Sequence, residues 1–180
     1  MNKKIILVLG LLLMPIAALA QTQNTSSAAE MKKLEFLTGD WKGEGWIDMG
    51  PGGRSTFKQT EAVQSKLNGT VIIVEGLGTG KLASSGQEGV VHNALAVISY
   101  DSSAKKFLFR AFRADGNYID ANVTMGEKGL IWGFRNPQQG GEIRYTIKLT
   151  DAGQWLEIGE FSTDGKQWRK FFEMTLQRVK

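Results

Sequence analysis

The sequence predicts an all-β fold: an antiparallel up-and-down β-barrel of about ten strands with a short N-terminal helical turn. Three observations predict it. From Gly39 onward, short alternating segments follow one another, punctuated by Asn-Gly, Asp-Gly and Gly-Gly pairs. The 180 residues include 22 glycines and 3 prolines, the balance of a chain with many turns. Beyond Thr38 no helical period is sustained. Ten short strands in an open sheet would leave edges exposed, so closure into a barrel is expected.

The segment before the strands carries an address. Lys3 and Lys4 begin Met1 to Ala20, an apolar run follows from Ile5 to Leu13, and Ala18-Leu19-Ala20 supplies a cleavage pattern. Residues 1–20 therefore read as a secretory signal peptide, whose apolar run is too short for a spanning helix. Export to the periplasm or the medium is expected, with a mature chain starting at Gln21. Removal of Lys3 and Lys4 lowers the formal charge from +4 to +2. A balance so small and mixed gives no electrostatic case for nucleic acid. Residues 21–29 are polar and read as a flexible leader. Met31, Leu34 and Leu37 recur at spacing three and mark one or two helical turns. Residues 30–180 read as one domain.

Composition excludes several chemistries. The chain has no Cys, which removes disulfides, thiolate metal sites and Cys nucleophiles, and one His, which removes any site needing two imidazoles. No metal and no cofactor are expected. Stability must come from the core, and a domain of about 150 residues buries roughly 68–70% of its surface.

The strands are expected to begin near Trp41, Arg54, Thr70, Val91, Lys106, Tyr118, Gly129, Glu142, Gln154 and Lys166. A hairpin loop fixes register, and register fixes which residues share a face. A two-residue loop at Asn68-Gly69 pairs Val63 with Val74, Ser65 with Ile72 and Glu61 with Gly76. The face with Phe57, Gln59 and Glu61 is then inward. A two-residue loop at Asp115-Gly116 pairs Phe112 with Ile119 and Arg110 with Ala121, and turns Arg110 and Phe112 inward. A loop at Glu127-Lys128 pairs Met125 with Leu130 and Val123 with Trp132. Asp164-Gly165 pairs Phe161 with Trp168, Glu157 with Phe172 and Trp155 with Met174, with a Glu160–Arg169 ion pair outside. A three-residue loop Asp151-Ala152-Gly153 keeps Ile147 and Trp155 on one face, with Tyr145.

This reading puts three charges inside: Glu61, Arg110 and Glu157. Buried charges are costly unless paired or satisfied. Three uses follow. The glutamates could form an acid/base pair. The three groups could form an internal ion-pair network. With Gln59 and Tyr145 they could orient a polar ligand, Arg110 holding an anion. Phe112, Trp132, Trp155, Trp168 and Phe172 would supply a wall for stacking or would simply fill the core.

Leu34-Glu35-Phe36-Leu37-Thr38-Gly39-Asp40-Trp41 resembles the entry to the first strand of the calycin superfamily, where a short helical segment leads to Gly-x-Trp. The resemblance implies that Trp41 plugs one barrel end after Gly39, and that Arg178 on the final strand covers it, as a basic residue does in lipocalins. The chain resembles bacterial exported lipocalin-like domains. Its start also resembles nitrobindin-like haem barrels, whose iron ligand is a His on a late strand. No His follows His92, so that role is not carried over.

His92 could be a haem ligand or general base, or an ordinary rim residue. Gly76-Leu77-Gly78-Thr79-Gly80 has the look of a phosphate loop, but no Lys-Ser/Thr and no helix follow. It reads as a flexible strand exit, with Lys81 to Gly89 as a lid. An outer-membrane barrel is disfavoured because Lys58, Arg113, Asp120, Arg144, Lys148 and Glu160 would face lipid. The expected function is binding of a small, partly apolar molecule inside an exported barrel. Hydrolysis by Glu61 and Glu157, or a dry-cored envelope interaction domain, are the alternatives.

Overall fold

Met31, Leu34 and Leu37 all point into the barrel end and are at most 2% exposed. They ride on a helix over residues 26–31 that tightens into a 3₁₀ turn, Lys32–Leu37. The structure, a computed structural model, describes residues 26–48, 50, 53–82, 84–126, 129–136 and 140–179. Residues 1–20, expected as a signal peptide, and residues 21–25 of the expected leader lie outside the described residues. Residues 26–29, expected as flexible, are helical. Their helix is anchored by the apolar side chains that follow it.

Among the described residues, ten strands form a closed antiparallel barrel in simple meander order. They are β1 (Gly39–Asp48), β2 (Arg54–Lys66), β3 (Val71–Lys81), β4 (Glu88–Asp101) and β5 (Lys106–Arg113). The second half is β6 (Tyr118–Gly126), β7 (Gly129–Asn136), β8 (Gly141–Leu149), β9 (Trp155–Ser162) and β10 (Arg169–Arg178). Each strand pairs with the next, and β1 pairs with β10, so no edge remains.

Gly39 starts β1 with φ 126°, a backbone conformation that a Cβ would strain. It aims Trp41 into the barrel end. Trp41 is 1% exposed, its Nε1 donates to Leu37 O at 2.7 Å, and its ring meets Trp155 edge-on at 5.6 Å. Arg178 closes the same end from β10. Its guanidinium lies 4.0 Å from the Trp41 ring centre and donates to Phe36 O at 2.7 Å and to Thr38 O. Burying each such large side chain contributes about 1.5–3 kcal/mol. The helix, Trp41 and Arg178 therefore shut one mouth. The C-terminal ends of β1, β3, β5, β7 and β9 surround the other.

Most registers follow the turn chemistry. Val63 pairs with Val74 and Glu61 with Gly76. Val123 pairs with Trp132 and Met125 with Leu130, although loop residues 127–128 lie outside the described residues. Leu149 pairs with Trp155 around a three-residue loop whose Gly153 has φ 73°.

Two registers differ, and one of them reverses a face. Phe112 pairs with Tyr118 and Arg110 with Asp120, one residue away from the expected pairing. The loop is Ala114-Asp115-Gly116, closed by Arg113 N donating to Asn117 O at 2.8 Å. Gly116 takes φ 84°, and Asp115 Oδ1 accepts the Asn117 amide at 3.0 Å. This is a type I turn followed by a left-handed residue. A one-residue change turns every side chain of β5 over. Arg110 and Phe112 therefore face outward, and Phe107, Phe109 and Ala111 face inward. In the last hairpin Met174 pairs with Glu157 and Phe172 with Gly159, a shift of two that keeps Glu157 inward. One residue of the shift arises at the turn, where Phe161 pairs with Arg169, and a bulge at Phe171 adds the other. The expected Glu160–Arg169 pair does not form. Glu160 binds Arg144 at 2.8 Å, and the Arg144 guanidinium covers Trp168 on the outer wall.

Gly76 to Gly80, expected as a flexible exit, belongs to β3. At the expected lid, Lys81 ends β3 and Glu88 starts β4, and between them Leu82 N donates to Gln87 O at 2.8 Å and Gly86 N to Leu82 O at 2.7 Å.

Candidate functional site

The inward faces of the strands enclose a cavity of about 270 Å³ above Trp155 and Leu37. β2 brings two polar side chains into it. Gln59 and Glu61 alternate inward with Phe57 and Val63 and are 3% and 6% exposed. Gln59 Nε2 donates to Glu61 Oε1 at 2.7 Å.

Space for these side chains comes from β3. A Cβ at Gly76 would lie 2.8 Å from Glu61 Oε2, and one at Gly78 would lie 2.5 Å from Gln59 Oε1. The glycines that resemble a phosphate loop are thus inward wall positions left empty for β2. The expected pairing of Glu61 with Gly76 contains this signal, and extending that register two residues places Gly78 opposite Gln59.

Glu157 enters from β9 and is 6% exposed. Trp132 Nε1 donates to its Oε1 and Trp155 Nε1 to its Oε2, each at 3.3 Å. Tyr145 joins from β8. Its ring stacks on Trp132 with centres 4.2 Å apart, and Phe109 stacks on the other side of Trp132 at 4.8 Å. Ala121 pairs with Phe109, and its small side chain on the intervening β6 lets the β5 and β7 rings meet. His92 faces the cavity near the open mouth, opposite Gly78 on β4. His92 is exposed at the mouth, and partial desolvation by the wall with the charge of Arg113 lowers its imidazole pKa.

Burial dominates the electrostatics. It raises Glu61 to about 7, opposed by the Gln59 hydrogen bond. It raises Glu157 to about 8, helped by the charge of Glu61 and opposed by the two indoles. Burial, then the charge of Glu157, pushes the Tyr145 hydroxyl up, so it stays neutral. Burial thus shifts both acids toward the protonated form at pH values where ordinary glutamates are ionised. Each can donate as well as accept.

The structure brings together Gln59, Glu61, Trp132, Tyr145, Trp155 and Glu157. It separates Arg110, Phe112 and Trp168 from them. Arg110 pairs outside with Asp120 through two hydrogen bonds of 2.6 and 2.7 Å and lies 4.6 Å from the Tyr118 ring centre. Phe112 is 38% exposed and packs near Tyr118. Neither an anion clamp nor a three-charge internal network exists at this site. Sequence reasoning missed Phe109 and Ala111 as cavity wall because both faces of Phe107-Leu108-Phe109-Arg110-Ala111-Phe112 carry apolar groups.

Among the described residues, no group of three or more His, Asp or Glu side chains is placed to hold a metal ion. No protein-family model matches the chain, and no curated protein matches it in sequence.

Proposed function

We propose that the chain is an exported soluble barrel that binds a small, partly apolar molecule in its interior, with a calycin-like architecture. The observation that carries this reading is the cavity of about 270 Å³ walled by Phe109, Trp132 and Tyr145 and furnished with Gln59, Glu61 and Glu157. An apolar pocket with a few convergent polar groups of altered pKa is the general form of a small-molecule site. The Gly39, Trp41 and Arg178 closure supports the calycin-like kinship. Charged outer positions such as Lys58, Arg110 and Lys148 support a water-facing wall. The Lys3-Lys4 start and the Ala18-Leu19-Ala20 pattern support export.

The test is tryptophan fluorescence of the mature chain titrated with a panel of small aromatic amines, alcohols and acids. Trp132 and Trp155 line the cavity, so an occupant should change the emission saturably. Ala111→Trp, which fills the cavity from β5, should abolish the response while far-ultraviolet circular dichroism stays unchanged. A saturable response that survives Ala111→Trp contradicts the reading.

A second reading, hydrolysis by Glu61 and Glu157, is favoured by their shared upward shift. Two interacting acids at raised pKa can divide proton donor and acceptor roles. It predicts turnover of a glycoside or ester substrate that Glu157→Gln abolishes with the fold intact.

A further inference from the structure

The charges facing the cavity come from few elements. β2 contributes Glu61 beside Gln59, and β9 contributes Glu157. β8 contributes the neutral phenol of Tyr145, and β4 places His92 near the mouth. The remaining strands present aliphatic, aromatic or glycine positions. Among the described residues no Lys or Arg lines the cavity. Arg110, the one cation that the sequence placed inside, is bound to Asp120 on the outer wall.

Two acids without a counter-cation set the sign of a complementary ligand. A carboxylate or phosphate entering this space would find no cation to pair with and would hold the two carboxyls in their neutral form. An ammonium would supply the missing countercharge. Its N–H groups could donate to the carboxyl oxygens. Glu61 Oε1 already accepts from Gln59, whereas Oε2 borders the space left at Gly76 and takes no hydrogen bond among the described residues. The aromatic wall fits the same ligand, because ring faces attract cations and stack on flat apolar groups. The Phe109–Trp132–Tyr145 row offers such faces within the same cavity as Glu157.

We propose that the ligand is an organic ammonium, a singly charged amine on a small aromatic or apolar body, held by Glu61 and Glu157 against the Phe109, Trp132 and Tyr145 wall. This rests on the pocket reading above and names its ligand class. Burial favours the protonated acids in the empty site and a bound cation favours the ionised ones, so arrival of the cation should release protons to solvent.

Isothermal titration calorimetry of the mature chain at pH 7 tests this with matched probes. One set is 2-phenylethylamine, 2-phenylethanol and 3-phenylpropanoate, and a second set carries the corresponding indole body. The amine should bind at least about tenfold more tightly than the alcohol, and the acid most weakly. Its heat should vary with buffer ionisation enthalpy as protons leave. Glu61→Gln and Glu157→Gln should each reduce the amine-over-alcohol preference while alcohol binding persists, which also shows that the variants fold. Alcohol or acid binding as tight as the amine's overturns the amine inference and leaves the pocket reading standing. Failure of all probes to bind overturns both.

Discussion

Gly76 stands directly opposite Glu61 in the β2–β3 ladder, and a Cβ at Gly76 would come within 2.8 Å of Glu61 Oε2 and 2.9 Å of Oε1. The missing side chain on one strand makes room for the carboxyl on the other. Gly76→Ala should force Glu61 to swing away, because the obstructing atom is fixed to the wall. The expected cost is about 1–3 kcal/mol, as for other overpacked interiors. Binding of amine probes should weaken with it. Chemical denaturation and calorimetry of the variant would check both effects.

The raised proton affinities make stability depend on pH in a defined direction. An unfolded chain releases the protons of Glu61 and Glu157 near 4.5, whereas the folded chain holds them until about 7 and about 8. Between those limits the folded state binds more protons than the unfolded one. Stability of the empty protein should therefore be highest on the acid side of this window and fall as pH rises toward 8. Tm should drop by several degrees between pH 5 and pH 8, since about 1 kcal/mol moves Tm by roughly 2–4 °C in a chain of this size. The double variant Glu61→Gln, Glu157→Gln should flatten this slope in differential scanning calorimetry.

Arg110 tests the reversed face of β5. Its side chain is 48% exposed and its partner Asp120 is 61% exposed. Exposed ion pairs contribute about 0–1 kcal/mol. Arg110→Ala should leave stability in chemical denaturation nearly unchanged and leave interior binding intact. Loss of probe binding in Arg110→Ala would return this side chain to the site and contradict the β5–β6 register.

Arg178 tests the closed end. It joins the last strand to carbonyls 140 and 142 residues earlier in the chain and covers the Trp41 ring. Arg178→Ala should cost about 1–3 kcal/mol through lost charge-assisted hydrogen bonds and ring contact. Hydrogen exchange should rise first in residues 26–38 and at the start of β1, because their docking depends on that contact.

Much of this architecture was legible from turn chemistry. Asn68-Gly69 and Asp151-Ala152-Gly153 fix pairings that place Glu61, Tyr145 and Glu157 on inward faces, as the structure does. In the second case the loop length could be inferred because Ile147 and Trp155 had to share a face. No such conflict disciplines Ala114-Asp115-Gly116. Phe107, Phe109 and Ala111 make one plausible inner face of β5, and Leu108 and Phe112 make another. Alternation there is ambiguous, so a single loop residue decides where Arg110 points. The bulge at Phe171 was similarly invisible, yet a shift of two leaves Glu157 on its face. The glycine-rich run of β3 misled for a different reason. Read alone it suggests flexibility, and its meaning depends on which side chains lie across the ladder.

Glu61 and Glu157 share a buried cavity that no cation lines among the described residues. Carboxyl ¹³C NMR titration of the glutamate-labelled chain from Gln21 onward reads their proton affinities, with Glu61→Gln and Glu157→Gln assigning the two signals. Coupled midpoints near 7 and 8 are expected, with a downward move of the remaining midpoint when either partner is neutralised. Midpoints of both groups near the ordinary 4.5 would contradict this placement.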